Sequence, residues 1–312
     1  MTTPAVRLPT FIVAGAPKAG STSLYFYLAQ HPQVYMSPVK EPTFFGAADI
    51  ESSPVRDIVL QRAVRDRGPL RQYLSSLNAG GPLVLEWDDY VELFRNARDE
   101  IAIGEASVSY LWQPSAAEAI HARLPGARLV FILRDPAERL FTHWLGGAWR
   151  TPRVSFRERF LGALEPDGLG RNIVAIGRYA THLRRFFNIF PRPQIRVVLY
   201  EDYRADARAV MREIFAFIGV DPAYPVDMSR RHGETTVPRL RLLYAVRNRL
   251  FGAAPVAPWL PERARRGLQW LYRRPPAERL DRADRRIVID YYRDEILGTQ
   301  ELIGRDLSAW LR

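Results

Sequence analysis

Short apolar segments recur along the chain and are separated by longer amphipathic stretches. Residues 11–14, 100–104, 127–133 and 194–200 have the length and apolar content of buried strands. Each of these segments is followed by a stretch with a helical period. The pattern between residues 10 and 220 therefore predicts strands alternating with helices. This order predicts a parallel sheet with crossover helices on both faces, which is an α/β fold.

Helical patterns account for most of the chain outside these strands. Arginine-rich, mostly helical sequence follows residue 220. We expect one domain over residues 1–312, with an α/β core at 10–220 and a helical part at 221–312 packed on that core. The predicted helices are residues 23–30, 55–78, 87–97, 115–124, 136–149, 173–190 and 205–218.

Chemistry-bearing residues follow three of the predicted strands. They lie in the turn after Ala14, at residues 104–107 and at residues 134–136. Ligands of parallel α/β sheets bind outside the carboxyl ends of the strands. We therefore expect these three segments to meet at one cleft.

The turn at residues 15–22 joins the first strand to the first helix and reads Gly-Ala-Pro-Lys-Ala-Gly-Ser-Thr. Free backbone N–H groups and the dipole of a helix N-terminus favour an anion. Lys18 adds a cation, and Ser21 and Thr22 add hydroxyl donors. The turn therefore predicts a phosphate or sulfate site.

The same turn can be compared with the phosphate loop of nucleoside triphosphatases, G-x-x-x-x-G-K-[ST]. Gly15 and Gly20 have the required separation, but Ser21 follows Gly20 and the lysine lies two residues before it. This displacement argues against an NTPase or kinase, which stays as the alternative enzyme class.

Charge is unevenly distributed. The net charge is +11, and among 45 basic residues only Lys18 and Lys40 are lysines. Residues 229–286 hold 15 arginines against 5 acidic residues. Such a segment suits an anionic ligand, an acidic polymer or a membrane surface. A non-catalytic binder of acidic polymers is therefore a third hypothesis.

Several function classes are disfavoured. The chain has no cysteine, which excludes disulfides and thiolate chemistry. No nucleic-acid-binding motif, signal pattern or run of membrane-helix length is present in the sequence. We expect a cytoplasmic protein without nucleic-acid partners or an integral membrane segment, and peripheral membrane contact stays open.

Two motifs together resemble the sulfotransferases that use 3′-phosphoadenosine 5′-phosphosulfate (PAPS), in particular bacterial and glycan-modifying ones. Residues 18–22 are similar to their 5′-phosphosulfate loop and residues 131–142 to their 3′-phosphate motif. The resemblance implies a P-loop-like three-layer fold. It also implies a phosphosulfate held by Lys18, Ala19, Gly20, Ser21 and Thr22. Arg134 and Thr142 would hold the 3′-phosphate, with Thr142 standing where the family usually has serine.

The resemblance extends to residues 39–45, which match a K-E-x-x-F-F segment, and to residues 104–111. In this family the glutamate is the proposed base, and here it is Glu41. Ala106 departs from the lysine that several glycan enzymes carry. Alternative bases are His143, His31 and His232, although the position of His31 before Pro32 is better explained as a helix-end cap. Arg231, beside His232, is a further candidate for the 3′-phosphate.

The implied reaction moves a sulfuryl group from PAPS to a hydroxyl or amine and releases 3′,5′-ADP. It needs no metal. The acceptor class left open by the resemblance is a small molecule, a glycan or a lipid.

Overall fold

The computed structural model describes most of the core and the C-terminal helix. The described residues are 6–51, 63–64, 83–148, 154–166, 168, 170–230, 232–233, 235, 237–238, 273–274 and 277–312. Arg231 and nearly all of residues 239–276 lie outside them.

A five-stranded, all-parallel sheet forms the centre of the molecule. Its strands are β1 (Phe11–Gly15), β2 (Val34–Met36), β3 (Ala102–Ala106), β4 (Arg128–Leu133) and β5 (Ile195–Leu199), in the spatial order β2-β3-β1-β4-β5. All four strands predicted from the sequence are present, and β2 was missed because three residues give too short an apolar signal.

Helices flank the sheet as the alternating pattern predicted. They are α1 (Ser21–Leu28), α2 (Ala47–Glu51), α3 (Trp87–Glu92), α4 (Ala116–Arg123), α5 (Pro136–Ala148), α6 (Phe156–Leu164), α7 (Arg171–Ala175), α8 (Tyr179–Ile189), α9 (Tyr200–Ala205), α10 (Ala207–Ile218) and α11 (Arg282–Ile303). The result is a P-loop-like three-layer α/β fold with a helical C-terminal element.

The central strands are apolar throughout because both faces of the sheet are covered. Every residue of β1 is buried, as are five of the six residues of β4. Side chains from both faces join one apolar cluster that also includes residues of α1, α10 and α11. The position of β1 at the centre of the sheet follows from this continuous burial.

The order of the strands sets the place of the cleft. Chain leaving β1 crosses to the β2 edge, whereas chain leaving β4 crosses to β5 on the other side. Loops that diverge from adjacent parallel strands leave a crevice between them. The crevice here lies between the turn after Gly15 and the segment after Leu133.

One predicted helix, residues 173–190, is broken into α7 and α8. Gly177 lies at the break, and a Cβ there would stand 2.7 Å from the ring of Tyr292. The Tyr292 hydroxyl donates to the carbonyl oxygen of Val174 at 2.5 Å, while the Arg178 amide donates to Ala175 instead. The Val174 carbonyl, which a continuous helix would pair with the Arg178 amide, thus accepts from the Tyr292 hydroxyl and the Gly177 amide.

The prediction of a helix at residues 55–78 is wrong at the two residues that the structure describes. Ala63 and Val64 pair in parallel with Leu83 and Val84 as short extended segments. The remainder of that prediction lies outside the described residues. A second short pair joins residues 237–238 to residues 273–274 in antiparallel fashion.

The C-terminal helix α11 fixes the start of α5. Asp281 caps α11 by accepting from the amides of Ala283 and Asp284. One turn later, Arg285 reaches a carboxylate oxygen of Asp135 at 2.5 Å. Asp135 itself accepts from the Ala137 amide at the N-terminus of α5. The segment that follows β4 is thereby held from two sides.

Over the described part of the chain, every helix is too short or too polar to cross a membrane.

Candidate active site

The turn between β1 and α1 is shaped for an anion. Gly20 caps α1 with φ of 93°, a left-handed conformation that side chains disfavour. The first bond of the helix joins the Leu24 amide to the Gly20 carbonyl at 3.1 Å. The amides of residues 21–23 therefore point out of the helix N-terminus, where the helix dipole is positive.

Lys18 lies at the bend of this turn with φ of 66°, also left-handed. A non-glycine residue held there costs on the order of 1 to 3 kcal/mol, which surrounding contacts must offset. Part of the Lys18 side chain faces solvent. Partial burial of the ammonium lowers its pKa below the ordinary value, and attraction to Glu41 opposes this shift.

Arg134 follows β4 and reaches the same turn. Its Nη1 donates to the carbonyl oxygen of Lys18 at 2.9 Å, and its guanidinium lies 4.7 Å above the centre of the Tyr200 ring. Glu138, one turn into α5, is 3.7 Å from Nη2. These contacts orient a cation beside the anion-binding turn, as predicted from the order of the two motifs.

A cleft of about 440 Å³ opens between these elements. Lys18 and Arg134 both line it, so two of the predicted cofactor-binding side chains meet there. The other lining residues are Gly20, Ser23, Tyr27, Tyr200, Tyr203, Arg204, Ala205, Asp206, Ala207, Arg208, Met228, His232, Gly233 and Thr235.

His232 and Gly233 form another part of the cleft wall. Ser23 holds this segment on α1, because its hydroxyl donates to the His232 carbonyl at 2.9 Å and accepts from the His232 amide at 2.8 Å. The ring centres of His232 and Phe26 lie 4.2 Å apart with the planes tilted by 30°, and a Cβ at Gly233 would stand 2.8 Å from Thr22. His232 and Gly233 are thereby held against the N-terminal turns of α1.

Glu41 occupies a strained loop (residues 37–45, the Glu41 loop) that follows β2 and lies beside the end of β3. Its φ is 62°, and that of Thr43 is 58°; with Lys18 these are the left-handed non-glycine residues of the described chain. The Glu41 amide donates to the Ala106 carbonyl at 2.9 Å, and its carboxylate pairs with the buried ammonium of Lys40 at 2.5 Å. The Glu41 side chain is 39% exposed, so it is open to a ligand.

Glu41 and Thr142 do not line the described cleft. Glu41 is nevertheless close enough to Lys18 for its charge to raise the pKa of the ammonium. Thr142 is half-buried on α5, two turns from Arg134.

The three histidines considered as alternative bases have different environments. His31 is buried, with its ring nitrogens bonded to the Gln33 amide and the Asp221 carbonyl, which is the structural role expected for it. His143 has a buried Nδ1 without a partner among the described residues. Burial and the charges of Arg139 and Lys18 lower its pKa to about 4, making it a weak base. Burial and Arg230 lower the pKa of His232 as well.

Two groups in and near the site were not predicted from the sequence. Tyr200, Tyr203 and Arg204 of α9 line the cleft; their signal is the aromatic and basic segment directly after β5. Glu105 was noted only within a longer motif. It is fully buried beside the Glu41 loop, which no local sequence pattern reveals.

Comparison with known proteins agrees with the fold and with the order of these elements. The profile of the Sulfotransferase family matches residues 9–224, which is more than half of the chain. The chain belongs to this family.

Individual relatives share the family likeness at low identity. Human carbohydrate sulfotransferase 15 is 28% identical over 255 residues, covering 69% of this chain and 44% of the human protein. Mouse bifunctional heparan sulfate N-deacetylase/N-sulfotransferase 4 is 23% identical and covers 98% of this chain but 31% of its own length. The chain thus spans less than half of each of these relatives.

Among solved structures, a sulfotransferase from Alicyclobacillus acidocaldarius is similar over the whole chain. It is 26% identical, covers 98% of this chain and 100% of its own, and has a TM-score of 0.68.

Proposed function

We propose that this protein is a PAPS-dependent sulfotransferase in which Lys18, the backbone of residues 19–22, Arg134 and Thr142 bind the nucleotide. The observation that carries the proposal is that Lys18 and Arg134 line one cleft and are joined by a hydrogen bond. Such a cleft offers two anion sites at neighbouring strand ends. Arg231, outside the described residues, is a further proposed ligand of the 3′-phosphate.

The proposed chemistry is an in-line transfer. An acceptor oxygen or nitrogen forms a bond to sulfur while the bond between sulfur and the bridging oxygen breaks, and 3′,5′-ADP leaves with the electron pair. Glu41 takes the acceptor proton, and the Lys18 ammonium neutralises the negative charge on the bridging oxygen. Catalysis then depends on positioning of the acceptor and the sulfuryl group and on electrostatic stabilisation of the developing negative charge by fixed groups.

The acceptor is proposed from the relatives. Their names refer to carbohydrates and heparan sulfate, so glycans are the first acceptors to test. Ala106, where several glycan enzymes carry lysine, is fully buried and adds no cation. The acceptor panel therefore also needs phenols, lipids and amines.

The nucleotide distinguishes this proposal from a P-loop kinase. Calorimetry should show binding of 3′,5′-ADP without Mg²⁺, and sulfate from labelled PAPS should reach at least one acceptor. Tight binding of ATP with Mg²⁺ and no response to 3′,5′-ADP would contradict the proposal. Retention on heparin that survives Lys18→Ala and Arg134→Ala, without transfer to any acceptor, would favour the non-catalytic binder.

The assignment of the base has its own test. Glu41→Gln keeps the size of the side chain but removes its basicity, so turnover should be lost while 3′,5′-ADP still binds. Near-normal turnover in this variant would show that another group takes the proton.

A further inference from the structure

A carboxylate lies directly beneath the Glu41 loop and takes no part in the proposed reaction. Glu105, in β3, has no exposed surface and accepts hydrogen bonds from three hydroxyls. Ser107 donates to its Oε2 at 2.7 Å, Tyr110 to its Oε1 at 2.7 Å, and Tyr90 to Oε1 at 3.3 Å.

Two of these hydroxyls continue to the backbone of the Glu41 loop. The Thr43 amide donates to the Ser107 hydroxyl at 3.1 Å, and the Phe45 amide approaches the Tyr110 hydroxyl at 3.4 Å. Two chains of hydrogen bonds therefore run from two loop amides, through two hydroxyls, to the two oxygens of one carboxylate.

The direction of both chains depends on the carboxylate. A hydroxyl has one hydrogen, and Ser107 and Tyr110 each give theirs to Glu105, which leaves their lone pairs for the amides. An ionised carboxylate accepts at both oxygens. A carboxamide in its place would accept at one end and donate at the other, so one hydroxyl would lose its acceptor.

The loop that these amides anchor is the strained one. Thr43 is left-handed, and its hydroxyl donates to the carbonyl oxygen of left-handed Glu41 at 3.1 Å. Strained backbone persists where surrounding contacts over-determine it. A contact that fixes the Thr43 amide thus also fixes the backbone of Glu41.

We propose that Glu105 is a positioning residue, which acts through Ser107 and Tyr110 to hold the Glu41 loop in its reactive conformation. The inference rests on the proposed function only in that Glu41 is taken as the base. Glu105 itself is fully buried and contacts no reacting atom.

The surroundings of Glu105 agree with this role. Burial raises its pKa to about 7, the three hydroxyls lower it, and the charge of Glu41 raises it. The titratable groups facing it are Tyr90 from α3, Tyr110 from the turn after β3, and Glu41 from the loop. Above that pKa the carboxylate is ionised and accepts from both Ser107 and Tyr110.

Serine variants provide the first test. Ser107→Ala removes the link to Thr43, whereas Ser109→Ala makes the same change at a buried hydroxyl that has no partner among the described residues. We expect kcat for transfer from PAPS to fall at least about tenfold in Ser107→Ala with an unchanged KM for PAPS, since misplaced catalytic groups cost up to about 100-fold. Ser109→Ala should match the wild type. Equal losses in both variants, or none in Ser107→Ala, would overturn the inference.

Tyrosine variants provide a test that needs no acceptor and no activity. Tyr110→Phe breaks a chain to the loop, whereas Tyr90→Phe removes a Glu105 contact that, within the described residues, leads to no loop amide. Hydrogen exchange at the Phe45 amide should be about tenfold faster in Tyr110→Phe than in Tyr90→Phe. Equal exchange rates would overturn the inference. Failure of the wild type to bind 3′,5′-ADP would instead overturn the proposed function and leave this measurement valid.

Discussion

The guanidinium of Arg134 donates a hydrogen bond to the carbonyl oxygen of Lys18, at 2.9 Å. The bond joins the segment after β4 to the left-handed residue of the turn after β1. It therefore links the proposed 3′-phosphate residue to the proposed phosphosulfate loop. A change in the position of one of these residues is transmitted directly to the other.

Arg134→Ala should remove the preference for a 3′-phosphate. Charge-assisted hydrogen bonds contribute about 1.5 to 3 kcal/mol, so 3′,5′-ADP affinity should fall by roughly 10- to 100-fold. Binding of 5′-AMP should fall much less, and only through the lost support of Lys18. Calorimetric titration with both nucleotides measures the difference, and an equal loss for the two would show that Arg134 does not contact the 3′-phosphate.

Comparison of Lys18→Ala with Lys18→Arg separates the effect of the positive charge at residue 18 from that of the side-chain shape. Both variants place a Cβ at the same left-handed position, so backbone strain is matched. Alanine should weaken 3′,5′-ADP binding by about tenfold or more and abolish turnover. Arginine should restore most of the affinity but little of the turnover, because its planar, delocalised guanidinium cannot replace a compact ammonium. Full activity of Lys18→Arg would mean that any cation suffices.

Arg285→Ala should destabilise the protein, because it leaves the buried carboxylate of Asp135 without its cation. The side chains are 19% and 7% exposed, so the loss should be about 2 kcal/mol, below that of a fully buried pair. Arg293→Ala on the same helix breaks an exposed pair with Asp290 and should cost less than about 1 kcal/mol. Urea denaturation compares the two, and equal losses would argue against a role of Asp135 in fixing α5.

Glu105→Gln should change how stability depends on pH. The pKa of Glu105 is about 7 in the folded state against an ordinary 4.5, so between these values the folded state binds the extra proton. Wild-type stability should therefore fall as the pH rises from about 4.5 to 7, by roughly 3 kcal/mol for a fully buried group.

The glutamine variant lacks this contribution, so its deficit relative to the wild type should shrink between pH 5 and pH 8. Histidines that titrate in this range are common to both proteins and cancel in the difference. Urea denaturation at the two pH values measures it. Parallel pH curves would mean that the pKa of Glu105 is not raised.

Much of this fold could be predicted because its signals are local. The apolar run of β1, the glycine-bearing turn and the start of α1 are contiguous, and so are β4 and Arg134. The rule that ligands meet at the carboxyl ends of parallel strands correctly predicted that Lys18 and Arg134 line one cleft, whereas residues 104–107, the third segment expected there, do not line it.

The features that escaped prediction depend on contacts distant in sequence. The break at Gly177 coincides with contacts of Tyr292, more than 100 residues away, with Gly177 and Val174. The left-handed backbone of Glu41 is supported by residues of β3 and the turn after it. Periodicity carries no information about such partners, so neither the break nor the network under Glu41 was visible in the sequence.

The central position of β1 constrains where a ligand can lie. Glu41 is tied to the end of β3 and Arg134 to the end of β4, and these strands lie on opposite sides of β1. Two strand spacings, about 10 Å, separate the backbones at these strand ends, and the hydrogen bonds of the sheet fix that separation. The Arg134 side chain crosses part of it, because its guanidinium reaches the Lys18 carbonyl in the turn after β1. A ligand that engages both Arg134 and Glu41 must therefore lie across the turn that carries Lys18.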